Sequence, residues 1–162
     1  MKTILQILKL AGGWHHGLNL KIENQPYMAL VIESTDESGP CGLPAISVAH
    51  YGEQNGDLMR DPEMCFELGL GGGAHLNPFY WRNDYAGIEQ WSRFIRDDHY
   101  AFHAELYKQH EQFAKQWDKN LRGQGLIEAF ERQRNSPRAS PFPAPERMGK
   151  RVRFNTQRSV TA

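Results

Sequence analysis

Residues 45–68, AISVAHYGEQNGDLMRDPEMCFEL, decide the fold, because two alternating apolar segments flank a polar stretch that is rich in turn signals. Apolar side chains alternate along residues 45–51 and again along residues 63–68, which is typical of strands with one buried face. Between them lie Asn55-Gly56 and Asp61-Pro62, two dipeptides that favour turns. The stretch therefore predicts two antiparallel strands joined by a turn.

Further strands are predicted on both sides of this pair, from β-prone residues bounded by turn residues. They are residues 18–23, 27–34 and 77–82. Residues 84–95 fit a helix through the spacing of Ile88, Trp91 and Ile95, and fit a strand through their aromatic and glycine content. We favour a strand or irregular extension to about Phe94, with a turn at Asp97-Asp98.

Three segments carry apolar residues at helical spacing. They are residues 2–11, 100–121 and 126–134. With the strands, they predict an α+β fold in which a mainly antiparallel sheet of about five strands packs with an N-terminal helix and a longer C-terminal helix. We expect the helices to cover one face of the sheet and to leave the other face either solvated or available as a docking surface.

Residues 1–134 form the predicted domain, and residues 135–162 a proline-rich, basic and irregular tail. The segment SPRASPFPAP has four prolines in ten residues and no pattern that could bury a core. Of the 19 basic and 19 acidic residues, eight basic and one acidic lie in 132–162, so that segment carries +7 and residues 1–131 carry −7. The tail therefore either folds back onto the acidic body or reaches for an anionic partner.

Composition predicts a cytoplasmic protein without membrane contact. Hydrophobic residues make up 40% of the chain, enough for one core, and no apolar run approaches the roughly 18 residues of a membrane span. Gln6 and Lys9 interrupt the N-terminal apolar stretch at helical spacing, so we interpret it as an amphipathic helix and not as a secretion signal. Cys41 and Cys65 are expected to be free, buried thiols.

The first candidate site is an acidic turn. Its residues are Glu53, Asp57, Asp61 and Glu63. Clustered carboxylates can act as acid and base, hold a hard cation or bind a partner, but this spacing does not match a calcium loop. A solvated turn is the simplest alternative, and partner binding is the leading functional interpretation.

The second candidate site is an aromatic segment. Its residues are Tyr80, Trp81, Tyr85 and Trp91, next to Phe79. Rings in such a segment can form the core beneath a helix, anchor a protein interface or stack nucleobases.

The third candidate site lies in the tail. Its residues are Arg147, Lys150, Arg151, Arg153, Phe154 and Arg158. Basic residues around an aromatic ring can grip phosphates and stack a base, or dock on an acidic protein. A solubilising tail without a partner is the alternative.

Catalytic and metal motifs are weak throughout. His99 and His103 would share one side of a helix, with His110 two turns further, but solvated helix positions are the simpler interpretation. The glycine-rich residues 69–73 are not followed by the lysine and hydroxyl of a phosphate loop. We therefore predict no metal and no cofactor, a sheet position for His50 and a core position for Cys65.

Three longer stretches also invite comparison with known families. They are ISVAHYGEQNGDLMRDPEMCFEL, PFYWRNDYAGIEQ and FAKQWDKNLRGQGLIEA, with Arg82, Asn83, Asp84, Tyr85, Trp117 and Asp118 among the matching positions. They resemble a small domain of unknown function that recurs in proteins of plasmids, integrative conjugative elements and phages. The resemblance covers about residues 1–130 and leaves out the glycine-rich loop and the tail. It implies no catalytic residue, but it implies a setting, since small accessory proteins of mobile elements often block host defence machinery.

The sequence supports three hypotheses of function. The leading one is a non-enzymatic accessory protein of a mobile genetic element that binds a protein or ribonucleoprotein complex, with inhibition of a CRISPR-type host defence complex as its specific form. The second is nucleic-acid binding through the basic tail. The third is a hydrolase or nuclease centred on His50 with Glu53 or Asp57, which requires an accessible imidazole within reach of a carboxylate.

Overall fold

A computed structural model describes residues 1–69 and 75–136, so most of the glycine-rich loop and the tail from residue 137 onward lie outside the described residues. The helices are α1 (Lys2–Leu10), α2 (Ala104–Gly123) and α3 (Leu126–Asn135). The strands are β1 (Asn19–Asn24), β2 (Tyr27–Ser34), β3 (Ala45–Gln54), β4 (Asp57–Leu68), β5 (Leu76–Asn83), β6 (Ile88–Trp91), β7 (Arg93–Arg96) and β8 (His99–Phe102).

Strands β1 to β6 form one antiparallel sheet in which each strand pairs with its neighbour in the sequence. Strands β7 and β8 form a separate two-stranded sheet. The predicted α+β class, with its antiparallel sheet, N-terminal helix and longer later helix, is confirmed. The main sheet has one strand more than the five expected, because Ile88–Trp91 pairs with β5 as an edge strand.

The helices cover one face of the sheet. On this face, alternate residues of β3 and β4, such as Ile46 and Phe66, are fully buried. They belong to one cluster with Ile7 of α1 and with Trp117 and Leu121 of α2. The period-2 pattern of the strands and the 3.6-residue pattern of the helices therefore meet in a single core.

The start of α1 is capped from another helix. Met1 makes no side-chain cap; instead, the Asp118 carboxylate of α2 accepts hydrogen bonds from the backbone N–H groups of Lys2 (3.0 Å) and Thr3 (2.9 Å). The first N–H groups of a helix have no partner within it, and a carboxylate also suits the positive end of the helix dipole. Asp118 thus ties α1 to α2.

The predicted helix over 100–121 was wrong at its start. Asp97 and Asp98 both have positive φ angles, of 52° and 61°, and this turn folds residues 99–102 back onto β7 as β8. The helix begins only at Ala104, and His103 is its extended N-cap residue. His99 and His103 therefore do not share a helix face. The two-residue turn outweighs the helical spacing of the apolar residues, because hairpin pairing satisfies the backbone of this segment.

Asp61-Pro62 was predicted as a turn but lies inside β4. The only turn between β3 and β4 in the described structure is at Asn55-Gly56, and the ladder runs from Gln54↔Asp57 to Ala45↔Glu67. The register shifts between Ala49 and Tyr51, opposite this dipeptide. Such a bulge accommodates a proline, which lacks the N–H group that a regular ladder requires.

Candidate functional site

The face of the sheet without helices carries a second, smaller cluster of buried side chains. Its members are Ala45, Cys65, Phe79 and Tyr80. Cys65 alternates with the core residues Met64 and Phe66 along β4, which places the cluster opposite the helices. Burial raises the pKa of the Cys65 thiol to about 12, so this thiol is not a ready nucleophile.

Above this cluster lies a cavity of about 720 Å³, which we call the aromatic groove. The side chains that matter for its chemistry are Phe79, Trp91, Phe94, Ile95, Glu37 and His103. One wall is the loop between β2 and β3, and the other is the β7–β8 hairpin. The volume falls within the range of about 300–1,000 Å³ that is typical of ligand-binding pockets.

Rings pack against one another along the groove. The Trp91 ring centroid lies 4.5 Å from that of Tyr80 and 6.0 Å from that of Phe79. The Phe94 ring lies 5.3 Å from the His103 ring, and the Arg96 guanidinium lies over Phe94 at 5.2 Å. Aromatic surface that is partly open to solvent suits an incoming apolar or aromatic side chain.

One buried carboxylate holds both walls. Glu67 of β4 is 0% exposed. Its Oε1 accepts a hydrogen bond from the Cys41 backbone N–H at 2.6 Å, and its Oε2 pairs with Arg93 of β7. Arg93 is 7% exposed and also donates to the Tyr100 hydroxyl of β8 at 3.0 Å. Glu67 therefore links the β2–β3 loop and the β7–β8 hairpin to the sheet between them.

Arg93 keeps its positive charge in this ion pair although its side chain is buried. Burial by itself would lower the pKa of Arg93, but the hydrogen bond from Arg93 to Tyr100 and the charge of Glu67 raise it above its ordinary value. The guanidinium thus stays charged, and its Nη1 is buried without a hydrogen-bond partner in the described structure. Gly39 packs so closely on the Glu67 side chain that a Cβ there would overlap with it.

The carboxylates beside the groove make its rims acidic. Asp36 and Glu37 lie on the loop wall, and Asp97 and Asp98 form the tip of the hairpin wall; all four are exposed. One exposed cation, Arg96, also lines the groove and lies over the Phe94 ring, so the four carboxylates outnumber it on these segments. The groove therefore combines an apolar floor with negatively charged edges.

The predicted aromatic segment divides between the two faces. Trp81 is partly buried and packs on the helix side against the core and Phe113 of α2, so it does not face the groove as a partner-binding residue. Tyr80 is buried on the opposite face and donates to Glu89 at 2.9 Å, while Trp91 is 46% exposed in the groove. Tyr85 is exposed at the β5–β6 turn, where its hydroxyl lies over Gly52. Of the four residues, only Trp91 lines the groove.

The predicted acidic turn also divides in two. Glu53 and Asp57 are exposed near the tip of the β3–β4 hairpin. Asp61 accepts a hydrogen bond from Asn83 at 2.7 Å. Glu63 accepts one from Ser47 at 2.6 Å and pairs with Arg60 at 2.8 Å. Only the first two carboxylates are thus presented outward, and partner binding by this turn stays a prediction.

A network of charges joins the β3–β4 hairpin to the β5–β6 turn. Asp84 accepts a hydrogen bond from the Arg60 backbone N–H at 2.9 Å and from Arg82 Nε at 2.5 Å. The Arg60 backbone bond, together with these cations, lowers the pKa of Asp84 below its ordinary value. The first two stretches behind the family resemblance therefore meet in space, and their polar residues stabilise the hairpins.

The two buried histidines make hydrogen bonds inside the fold. His50 is 5% exposed, its Nδ1–H donates a hydrogen bond to the Ala29 carbonyl at 3.0 Å, and its ring packs edge-on against Trp117. His110 was expected to be a solvated helix residue, but it is buried and bonded to the Ser92 hydroxyl at 3.0 Å. Burial lowers the pKa of both imidazoles. His50 thus lacks the accessibility that a general base requires.

Sequence reasoning missed the residues that build the groove walls, above all Glu67, Arg93, Phe94 and Ile95. A usable signal was present: Glu67 is a charged residue in an otherwise apolar strand, and such a residue needs a counter-charge when its face is buried.

Cys41 was expected to be buried and is exposed, whereas Cys65 is buried as expected; both are free. Within residues 1–69 and 75–136, no three His, Cys, Asp or Glu side chains converge as metal ligands. The predicted tail site lies outside the described residues.

The described helices include none that is long and apolar enough to span a membrane.

The fold and groove define a class of small α+β domain, with helices on one face of an antiparallel sheet and an aromatic groove on the other. The chain belongs to the family described as a domain of unknown function, DUF6908, whose model matches residues 2–127. No curated protein and no solved structure matches the chain.

Proposed function

We propose that this protein is a non-enzymatic binding protein whose aromatic groove takes an apolar or aromatic side chain from a cationic segment of a partner protein. The observation that carries the proposal is a groove of about 720 Å³ whose two walls are held by the buried Glu67–Arg93 pair. A site that is rigid before binding loses less conformational entropy when it binds.

The chemistry of the groove selects the partner. Trp91 and Ile95 offer apolar surface at 46% and 53% exposure, and buried aromatic or aliphatic anchors dominate the energetics of protein interfaces. The exposed carboxylates of Asp36, Glu37 and Asp97 favour a partner segment that carries Lys or Arg around its anchor residue.

Peptide display on the immobilised 162-residue chain tests this proposal. We expect enriched peptides to combine an aromatic or branched aliphatic residue with flanking Lys or Arg. Ile95→Asn should weaken their binding at least tenfold. The matched control is Leu58→Asn, because Leu58 is also exposed and aliphatic, at 70%, but does not line the groove. Enrichment of no peptide, or equal binding to both variants, would contradict the proposal.

The finer form of the proposal is that the partner belongs to a host defence complex and that the protein is an accessory of a mobile genetic element. Its support is the resemblance of the signature stretches and the surplus of acidic residues in positions 1–131, since an acidic body can occupy a basic channel of a nucleic-acid-binding complex. A reconstituted defence nuclease that cuts equally fast with and without the protein would remove this form.

Nucleic-acid binding through the tail is the second candidate function. It rests on the basic residues of the segment 147–158. Affinity for single-stranded oligonucleotides should then fall steeply with salt, and Arg151→Glu with Arg153→Glu should abolish it. Retained binding in that double variant would exclude the tail as the nucleic-acid-binding site.

The third hypothesis, a hydrolase centred on His50, lacks support because this imidazole is buried.

A further inference from the structure

We infer that the chain's own segment around Phe154 occupies the aromatic groove and competes with the external partner. The inference rests on the proposed function, because it assigns a second ligand to the same site. Its physical basis is the match between an acidic-rimmed apolar groove and the one strongly basic part of this sequence.

Charge complementarity is the first argument. Glu37 lines the groove, and Asp36, Asp97 and Asp98 are exposed beside it, against one exposed cation, Arg96. Phe154 is flanked in the sequence by Lys150, Arg151, Arg153 and Arg158. Opposite charges around an apolar anchor both attract the segment and set its orientation.

Chain length is the second argument, and it distinguishes the two phenylalanines beyond Ser136. The end of α3 lies along β1, because Gln133 accepts a hydrogen bond from the Glu23 backbone N–H at 3.1 Å. The groove lies at β5 and β6. The distance from β1 to β6 is five strand spacings, or about 24 Å, and the passage from the helix face of the sheet to the opposite face adds about 10 Å. The path is therefore roughly 35 Å long.

Phe142 follows Ser136 by six residues, which span at most about 20 Å when fully extended, whereas Phe154 follows by eighteen residues, which span up to about 60 Å. Only Phe154 can reach the groove within the same chain. Phe142 is thus a natural internal control.

Nuclear magnetic resonance of the 162-residue chain tests the inference. The probes are the indole N–H of Trp91, assigned with Trp91→Phe, and the backbone amides of Phe94 and Ile95. We expect Phe154→Ala to shift these signals and Phe142→Ala to leave them in place, and 0.5 M salt to mimic Phe154→Ala. Groove signals that are identical in the wild type and in Phe154→Ala would overturn the inference.

A synthetic peptide of residues 147–162 supplies the second measurement. If the tail fills the groove nine-tenths of the time, the peptide should bind Phe154→Ala about tenfold more tightly than the wild type. Equal affinities would contradict the competition. Signals that change on tenfold dilution of the wild type would show that a second copy supplies the occupant, which overturns the intramolecular form.

The two proposals fail separately. If display-selected peptides shift Ile95 while Phe154→Ala does not, the groove is a binding site and the tail is not its ligand. If neither shifts Ile95, both proposals fail.

Discussion

Replacing Glu67 with glutamine tests whether one buried carboxylate holds the two walls of the groove. Glutamine keeps the size of the side chain and an acceptor for the Cys41 amide, but it removes the charge that faces Arg93. Arg93 is 7% exposed, so its guanidinium would remain buried without a counter-charge. Removal of one partner from a buried ion pair typically costs about 3–5 kcal/mol of folding free energy.

Equilibrium unfolding in urea, followed by tryptophan fluorescence, measures this loss. With a slope of about 2 kcal/mol per molar urea, the midpoint should fall by roughly 2 M. Glu23→Gln is the control, because it breaks an ion pair with Lys21 in which both side chains are 61% exposed, and it should leave the midpoint unchanged. A Glu67→Gln midpoint within about 0.5 M of the wild type would refute the reasoning.

A double variant separates the charge from the packing. Glu67→Leu with Arg93→Met replaces both ions by apolar side chains of similar length, and such replacements of buried pairs are often neutral or stabilising. The double variant should therefore be clearly more stable than Glu67→Gln alone. If its loss equals the sum of the losses in the single variants Glu67→Leu and Arg93→Met, the pair makes no coupled contribution.

Three further perturbations have defined outcomes. Asp118→Ala removes the cap of α1 and should cost about 1 kcal/mol in urea unfolding, whereas Asn120→Ala, at an exposed position of the same helix, should cost much less; equal losses would refute the capping role. Burial lowers the folded-state pKa of His50 and of His110. The stability that comes from their neutral forms is therefore complete above about pH 6.5, the ordinary pKa of histidine. It is lost as the pH falls through the folded-state pKa values. The urea midpoint should therefore drop between about pH 7 and 5, less so in His110→Gln, and a flat profile would contradict this. Gly39→Ala should lower the melting temperature by several degrees, because its Cβ would overlap with the Glu67 side chain; an unchanged value would show that the loop can move.

Local pattern was sufficient for the elements whose partners are near in the sequence. The alternation along residues 45–51 and 63–68 and the Asn-Gly turn between them predicted the central hairpin, and β3 and β4 do pair around Asn55-Gly56. The helical spacing near residue 117 likewise predicted α2. These signals are reliable because a strand or helix with one buried face has to repeat its apolar residues at the period of its backbone.

The same pattern failed where a turn competes with a helix. Residues 100–102 have apolar residues at helical spacing with α2, yet they pair with β7 because Asp97 and Asp98 adopt positive φ angles and reverse the chain. His110 was predicted to be solvated because Gln109 and Glu111 beside it are polar. The fold instead places it against Ser92 and buries it.

The charge division and the sheet-and-helix class could both be derived from the sequence alone, because each depends on composition or on the period of neighbouring residues. The aromatic groove could not. Its walls lie at residues 35–40 and 93–96, and Glu67 braces them. Glu67 contacts Cys41 and Arg93, each 26 residues away in the sequence. Cys41 and Arg93, which contact each other, are 52 residues apart. Only tertiary packing brings an acid and a base that far apart in the chain into one buried pair, because the attraction that offsets their desolvation exists only once the sheet has formed around them.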